Sequence, residues 1–137
     1  MPRFAANLTF LFTEIPFMER FAAARRAGLD AVEFMFPYDY ELEDIKARLR
    51  ETGLQLVLCN LPAGNWAGGD RGTAANPERR EEFRKGVVKG IDAARTLSVN
   101  RLNCLVGLKN KALPDSETWQ TLKENIRYAA ESLQQEN

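Results

Sequence analysis

Four strand-like runs alternate with four stretches of helical periodicity, and that order most narrows what this chain can fold into. Residues 4–10 set Phe4, Ala6, Leu8 and Phe10 against Ala5, Asn7 and Thr9, the two-residue period of a strand. Pro16 suits a first helical turn, and Phe17, Phe21 and Ala24 recur at helical spacing until Gly28 stops them. A second strand is predicted over 31–36, ending at Pro37. The helix after it carries Leu42, Ile45 and Leu49 on one face and closes at Gly53. Residues 54–60 (LQLVLCN) are apolar on both faces, as a parallel strand covered on both sides should be. Asn76 and Pro77 read as the N-cap and first residue of a third helix, with Phe83, Val87, Ile91, Ala94 and Leu97 as its stripe. A fourth strand over 102–106 precedes a helix that opens at Asp115-Ser116, with Trp119, Leu122, Ile126 and Leu133 expected inward.

This order implies an α/β fold with a parallel sheet and right-handed crossovers. Two architectures fit: a small doubly wound sheet acting as a self-sufficient binding domain, or four units of a (β/α)8 TIM barrel. A complete barrel usually needs about 250 residues, and this chain has 137. The leading expectation is a single (βα)4 half-barrel unit over residues 1–137.

Composition then limits the chemistry. Nineteen Lys and Arg balance nineteen Asp and Glu, which argues against a nucleic-acid binder with a broad basic footprint and against a polybasic membrane binder. No apolar run approaches the roughly 18 residues that span a bilayer. The start of the chain lacks the apolar stretch of a secretory signal, so a cytoplasmic location is expected. The chain contains no histidine, which removes any His general base, Ser-His or Cys-His dyad and His-ligated metal. Cys59 and Cys104 are too few and too far apart for a disulfide scaffold, and their apolar settings predict reduced, buried thiols.

Strand alternation sorts the candidate site residues. In the first strand Phe4, Leu8 and Phe10 should face the helices, leaving Ala5, Asn7 and Thr9 on the barrel side. In the second, Val32, Phe34 and Phe36 face the helices, leaving Glu33 and Met35. In the fourth, Leu102, Cys104 and Val106 form the apolar face, leaving Arg101, Asn103 and Leu105. A lone buried carboxylate is costly without a partner. Glu33 is therefore either part of a structural network with Arg101 or neighbouring amides, or a lining residue of a polar active site. The connection 61–75 (LPAGNWAGGDRGTAA) has fifteen residues, four of them glycine, and no periodicity. Loops of that length tend to be functional or disordered, so Trp66 belongs to a pocket wall or lid, or to a flexible tip. The loop lacks both the GxxxxGK[ST] and the GxGxxG phosphate patterns, and Asp70 and Arg71 are expected to pair locally or hold it down. Hard divalent ions want several converging oxygens, yet Glu33 is the one inward-facing strand acid and Asp70 the one loop acid plausibly near it. No catalytic set or metal site is evident.

Met1-Pro2-Arg3-Phe4-Ala5-Ala6-Asn7-Leu8 with Phe12-Thr13-Glu14, then Gly28-Leu29-Asp30-Ala31-Val32-Glu33-Phe34 with Phe36-Pro37-Tyr38, resembles the hydroxypyruvate isomerase family. Residues 60–72 (NLPAGNWAGGDRG) are similar to that family's signature segment. The family includes 2-oxo-tetronate isomerases and belongs to the xylose-isomerase-like TIM barrels, and the likeness runs along the whole chain. The resemblance implies an aldose–ketose type isomerase acting on small hydroxy-oxo acids. In such enzymes two glutamates shuttle a proton between adjacent carbons near a divalent metal, Mg or Mn, held by carboxylate and amide oxygens. Those groups lie on the fifth strand and beyond, and Asn137 falls just before a fifth strand would begin. The resemblance thus implies an N-terminal half that has no catalytic residue and no metal ligand of its own and is inactive alone. Its substrate-side wall would be Asn7, Phe12, Glu33, Asn60, Trp66 and Asn103. Where the family's fourth strand carries a His with glycine four residues later, this chain has Asn103 and Gly107; an amide hydrogen-bonds but does not take up a proton at neutral pH. Open sheet edges and an apolar inner face give the expectation of self-association.

Overall fold

A computed structural model describes residues 2–135. Four parallel strands pair in chain order: β1 (Ala6–Asn7), β2 (Ala31–Glu33), β3 (Gln55–Asn60) and β4 (Leu102–Asn103). Four α-helices follow them: α1 (Phe17–Arg26), α2 (Leu42–Thr52), α3 (Arg80–Leu97) and α4 (Asp115–Gln134). A 3-10 turn, Pro77–Arg79, leads into α3, and Asn76 caps it by accepting the Glu78 amide hydrogen. Gly53 ends α2 in the left-handed conformation at φ +67°, which a β-carbon would make costly. The chain divides into two compact units. One is the chain up to Asn60 with Ala93–Asn103; the other is Leu61–Asp92 with the chain from Cys104.

The first unit holds the sheet and the main core. Ala6 and Leu8, Val32 and Phe34, and Leu56 and Cys59 pack with Phe21, Ala24, Ile45, Leu49, Leu54, Leu97 and Val99. Phe21 is fully buried and meets Phe17 and Phe34 edge-on, with ring centroids 5.3 and 6.0 Å away. This is the preferred geometry for aromatic quadrupoles. Between Val32 and Glu33 the β2–β3 register slips by one residue, so that Val32 faces Leu56 and Glu33 faces Leu58.

Two expectations about faces are corrected. Phe4 and Phe10 stand 73% and 66% exposed rather than against the helices. The ladder of β1 stops at Asn7, where the side-chain oxygen accepts the Thr9 amide and the carbonyl accepts those of Phe10 and Leu11. That turn ends the two-residue alternation, and Ala6 and Leu8 alone enter the core. In the second unit, Trp119, Ile126 and Leu133 of α4 are exposed, and Thr121, Asn125 and Ala129 are buried in their place. Hydrogen bonds decide the seating. Asn125 Nδ2 donates to the Ala74 carbonyl at 2.8 Å, and Thr121 Oγ1 accepts from Arg80 Nη2 at 2.8 Å. A carbonyl held that deep needs a donor more than the helix needs its apolar stripe covered.

The fourth strand is also shorter than its predicted 102–106. Val106 instead forms an isolated antiparallel bridge with Gly72 and is 45% exposed. Gly72 sits at φ +119°, and a β-carbon there would run into the Leu105 carbonyl. Among the described residues no helix is long and apolar enough to cross a membrane.

Phe21→Ala removes the ring on which two other aromatics lean. A loss of about 3–5 kcal/mol is expected from such a core truncation, read as a lowered urea midpoint with the α-helical circular dichroism signal otherwise retained.

Candidate functional site

Parallel strands bring their C-terminal ends to one edge of the sheet, the side on which βα folds bind ligands. Here each strand ends on a polar residue: Asn7 on β1, Glu33 on β2, Asn60 on β3 and Asn103 on β4. The register sets them side by side, Asn7 opposite Glu33 and Asn60 opposite Asn103. Asn7 Nδ2 donates to Glu33 Oε1 at 2.9 Å, and Asn103 Nδ2 donates to Asn60 Oδ1 at 3.1 Å. The carboxylate of Glu33 is thus held by an amide, not by Arg101. Among the described residues its other oxygen, Oε2, has no protein partner.

The neighbouring groups fix this row. Thr9 Oγ1 accepts the Met35 amide at 2.9 Å, and the Asn60 amide donates to the Met35 carbonyl at 2.8 Å. The Tyr38 hydroxyl donates to the Asn60 carbonyl at 2.6 Å. Burial, with Cys59 nearby, raises the Tyr38 pKa, so its phenol stays a donor. Cys59 is buried and its thiol is pushed up to about 11; burial also raises Cys104. Neither carries thiolate at neutral pH.

Phe12 is not part of the row. It packs against the hydrophobic core and adopts φ +60°, a left-handed conformation that costs a bulky residue about 1–3 kcal/mol. Sequence reasoning also missed Tyr38 and Thr9 as supports of the row; Pro37-Tyr38 directly after an apolar strand was the signal available. The same unit has a cleft of about 230 Å³ among Arg20, Phe17, Asp39 and Tyr40.

Trp66 lies in the second unit, on the long connection, and that connection is ordered by its own contacts. Asp70 Oδ2 accepts from the Asn65 amide at 2.6 Å and from Arg79 Nη2 at 2.8 Å. Arg79 in turn chelates Glu82. Asn65 Oδ1 takes the Gly68 amide. The Arg71 guanidinium lies 4.1 Å from the centroid of the Trp66 ring, a cation–π contact. Asp70 and Arg71 hold the loop down as expected. A cavity of about 200 Å³ in this unit, lined by Val106, Leu108, Lys109, Trp119 and Leu122, gave no signal in the sequence, because Trp119 read as core.

Among the described residues no three His, Cys, Asp or Glu side chains converge to hold a metal ion. The strand-end row offers one carboxylate and three amides, with one oxygen of Glu33 and that of Asn60 already accepting hydrogen bonds. That donor set does not fit Mg or Mn, which draw on several free oxygens.

Four parallel strands in sequential order, each followed by a helix, with polar residues at their C-terminal ends, define half of a TIM barrel. Residues 21–137 match the family model described as "Xylose isomerase-like TIM barrel", and the chain belongs to that family. It is 48% identical over 137 residues to the hydroxypyruvate isomerase of Escherichia coli K12, covering all of this chain and 53% of that protein. It is 40% identical to the 2-oxo-tetronate isomerase of Pectobacterium atrosepticum, covering 97% of this chain and 51% of that protein. A Brucella melitensis structure described as an AP endonuclease, family 2, superposes with a TM-score of 0.95 at 43% identity, over 99% of this chain and 52% of that one. The chain spans about half the length of the curated relatives it matches.

The Asp70 clamp titrates in a defined direction. The hydrogen bond from Arg79, then that from the Asn65 amide, holds its carboxyl below the usual carboxylate range. Its contribution is therefore complete above the unfolded value and is lost as pH falls through the depressed folded one. In a Trp119→Phe background, Trp66 fluorescence is expected to show an acid transition that Asp70→Asn abolishes.

Proposed function

We propose that this chain supplies the substrate-holding wall of a sugar-acid isomerase, one that interconverts hydroxypyruvate and tartronate semialdehyde or acts on 2-oxo-tetronates. The observation that carries this reading is the row Asn7, Glu33, Asn60 and Asn103, one polar residue at the end of each successive strand. The likeness to isomerases of both substrate types supports it. Phe12 contributes to the proposed wall by shaping the turn after β1, and Trp66 is the apolar residue that the second unit would offer to substrate.

The row suits a small hydroxy-oxo acid. Asn7 holds one oxygen of Glu33 and leaves Oε2 to accept from a substrate hydroxyl. Asn60, held at its carbonyl and its side-chain oxygen, keeps its amide hydrogens for a substrate oxygen. Asn103 hydrogen-bonds but carries no proton between carbons. Moving a proton between adjacent carbons through paired carboxylates needs a second acid positioned for the task, and Glu33 is the only carboxylate in the row. The chain by itself is a binding surface; the divalent metal that the family resemblance implies, Mg or Mn, would need ligands that this row does not offer. A cytoplasmic site of action accords with a small anionic metabolite as substrate.

The purified chain is expected to bind hydroxypyruvate in calorimetry yet show no isomerisation above buffer with added Mg²⁺ or Mn²⁺. Glu33→Gln should weaken that binding at least about tenfold, the scale of a lost charged hydrogen bond. Metal-dependent turnover by the chain, or unchanged binding in Glu33→Gln, contradicts the reading.

The exposed Trp119, Ile126, Val106 and Leu108 favour a second reading, in which a second copy covers the apolar surface. Sedimentation velocity decides it. A dimer that Trp119→Glu dissociates is the expected result, and a monomer at all concentrations rejects it.

A further inference from the structure

All four residues of the strand-end row belong to the first unit, and Asn60 is the one of them that is buried, at 6% exposed. Three partners from three places in the chain hold it. Its main-chain amide donates to the Met35 carbonyl at 2.8 Å, its carbonyl accepts the Tyr38 hydroxyl at 2.6 Å, and its side-chain Oδ1 accepts from Asn103 Nδ2 at 3.1 Å. Its remaining polar atom, Nδ2, has no partner among the described residues. No buried side-chain nitrogen or oxygen among them lacks a hydrogen bond, so Nδ2 is the atom by which Asn60 reaches open surface. The register gives its side. Asn60 pairs with Asn103, and Leu58, two residues earlier on β3, pairs with Glu33, so Asn60 and Glu33 share a face of the sheet. That face carries one oriented donor, Asn60 Nδ2, and one oriented acceptor, Glu33 Oε2.

The two ends of an asparagine amide are alike in shape, and the hydrogen-bond partners decide which end faces where. For Asn60 that partner is Asn103. Its Nδ2 occupies the Asn60 oxygen and leaves the Asn60 nitrogen facing out. An acceptor in place of that donor would turn the amide over and present Oδ1 instead. An oxo oxygen accepts hydrogen bonds and donates none, whereas a hydroxyl does both. We propose that Asn103 is a positioning residue which, by orienting the Asn60 amide, makes the row select a 2-oxo acid over the corresponding 2-hydroxy acid. Asn60 Nδ2 donates to the oxo oxygen, and Glu33 Oε2 accepts from the neighbouring hydroxyl. A donor already aimed at its acceptor loses no freedom on binding, so the preference appears as affinity. The proposal deepens the sugar-acid reading and rests on it for the identity of the ligand. Tyr38 has a different part, since it holds the main chain of Asn60 and does not bear on which end of the side chain faces out.

The test titrates the whole chain by calorimetry, at fixed pH and ionic strength, with hydroxypyruvate and with each enantiomer of glycerate. The acids differ only in the oxo or hydroxyl group at C2. Both are monoanions, so a charge added to the protein acts on them alike and the ratio of their affinities reports the contact at C2. The parent is expected to favour hydroxypyruvate at least about fivefold. Asn103 is exposed, so its replacement leaves the core untouched. Asn103→Asp, equal in size but an acceptor only, is expected to lower the ratio at least about tenfold. Asn103→Ala, which leaves the Asn60 amide free to turn, is expected to lower it about threefold. Tyr38→Phe should weaken both acids and leave their ratio within about twofold of the parent. A ratio unmoved in both Asn103 variants, or a parent that binds the acids equally, would overturn the proposal and leave the sugar-acid reading standing. A ratio that Tyr38→Phe lowers as far as Asn103→Asp would also overturn it, by reducing Asn103 to a structural tie. A parent that binds neither acid removes the sugar-acid reading, and the proposal with it.

Discussion

The hydrogen bond from Asn7 Nδ2 to Glu33 Oε1 is the contact on which the rest of the first unit turns. A carboxylate at the inner end of a strand must be solvated, neutralised or hydrogen-bonded. Here an amide on the neighbouring strand supplies the bond, and the pairing of Asn7 with Glu33 in the β1–β2 register is what brings it within reach. Asn7 also receives the Thr9 amide on its side-chain oxygen, so one residue ends β1, starts the turn and anchors the acid. Thr9 then reaches Met35, and Met35 reaches Asn60. Three strand ends are tied by a single chain of polar contacts, and Asn60 carries it to the fourth through Asn103.

Such a row is costly to build from local preference alone. Each strand is short, two or three residues at β1, β2 and β4, so backbone ladders contribute little. Apolar packing behind the sheet makes up the difference. Leu8, Val32, Phe34 and Cys59 lie within the same buried cluster as Phe21 and Ile45. The core positions the strand ends, and the strand ends expose oxygen and nitrogen where the core stops. The long connection in the second unit solves a parallel problem with charge. Arg79 pairs with both Asp70 and Glu82, and Arg71 is left to stack on Trp66.

Much of the fold was legible because its punctuation is chemical. Gly53 and the Asn76-Pro77 pair mark helix ends through left-handed geometry and capping, which are local properties. Glu33 and Asn103 fell on the polar side of their strands by alternation, which is also local. The misplaced residues depended on where the ladder starts and stops and on partners far along the chain. Phe4 and Phe10 fit a strand period, but β1 pairs only over Ala6–Asn7, so Phe4 precedes the ladder and Phe10 follows the turn at Asn7. Trp119, Ile126 and Leu133 fit a helical stripe, but the seat of α4 is decided by the Ala74 carbonyl, 51 positions before Asn125. Tyr38 could have been suspected from its place after Pro37, yet its acceptor on Asn60 is a matter of packing. Arg71 was legible as a loop anchor, and only its geometry shows the stacking on Trp66.

Solvent-proton exchange at the reacting carbon tests most directly the claim that this chain holds a substrate without moving its proton. Hydroxypyruvate in D₂O with the chain and Mg²⁺ is followed by proton NMR at the C3 methylene. The account predicts chain-dependent broadening of that signal, reporting binding, with deuterium entering no faster than in buffer. Deuterium incorporation accelerated by the chain, and abolished in Glu33→Gln, would show that the row transfers protons itself and would contradict the account.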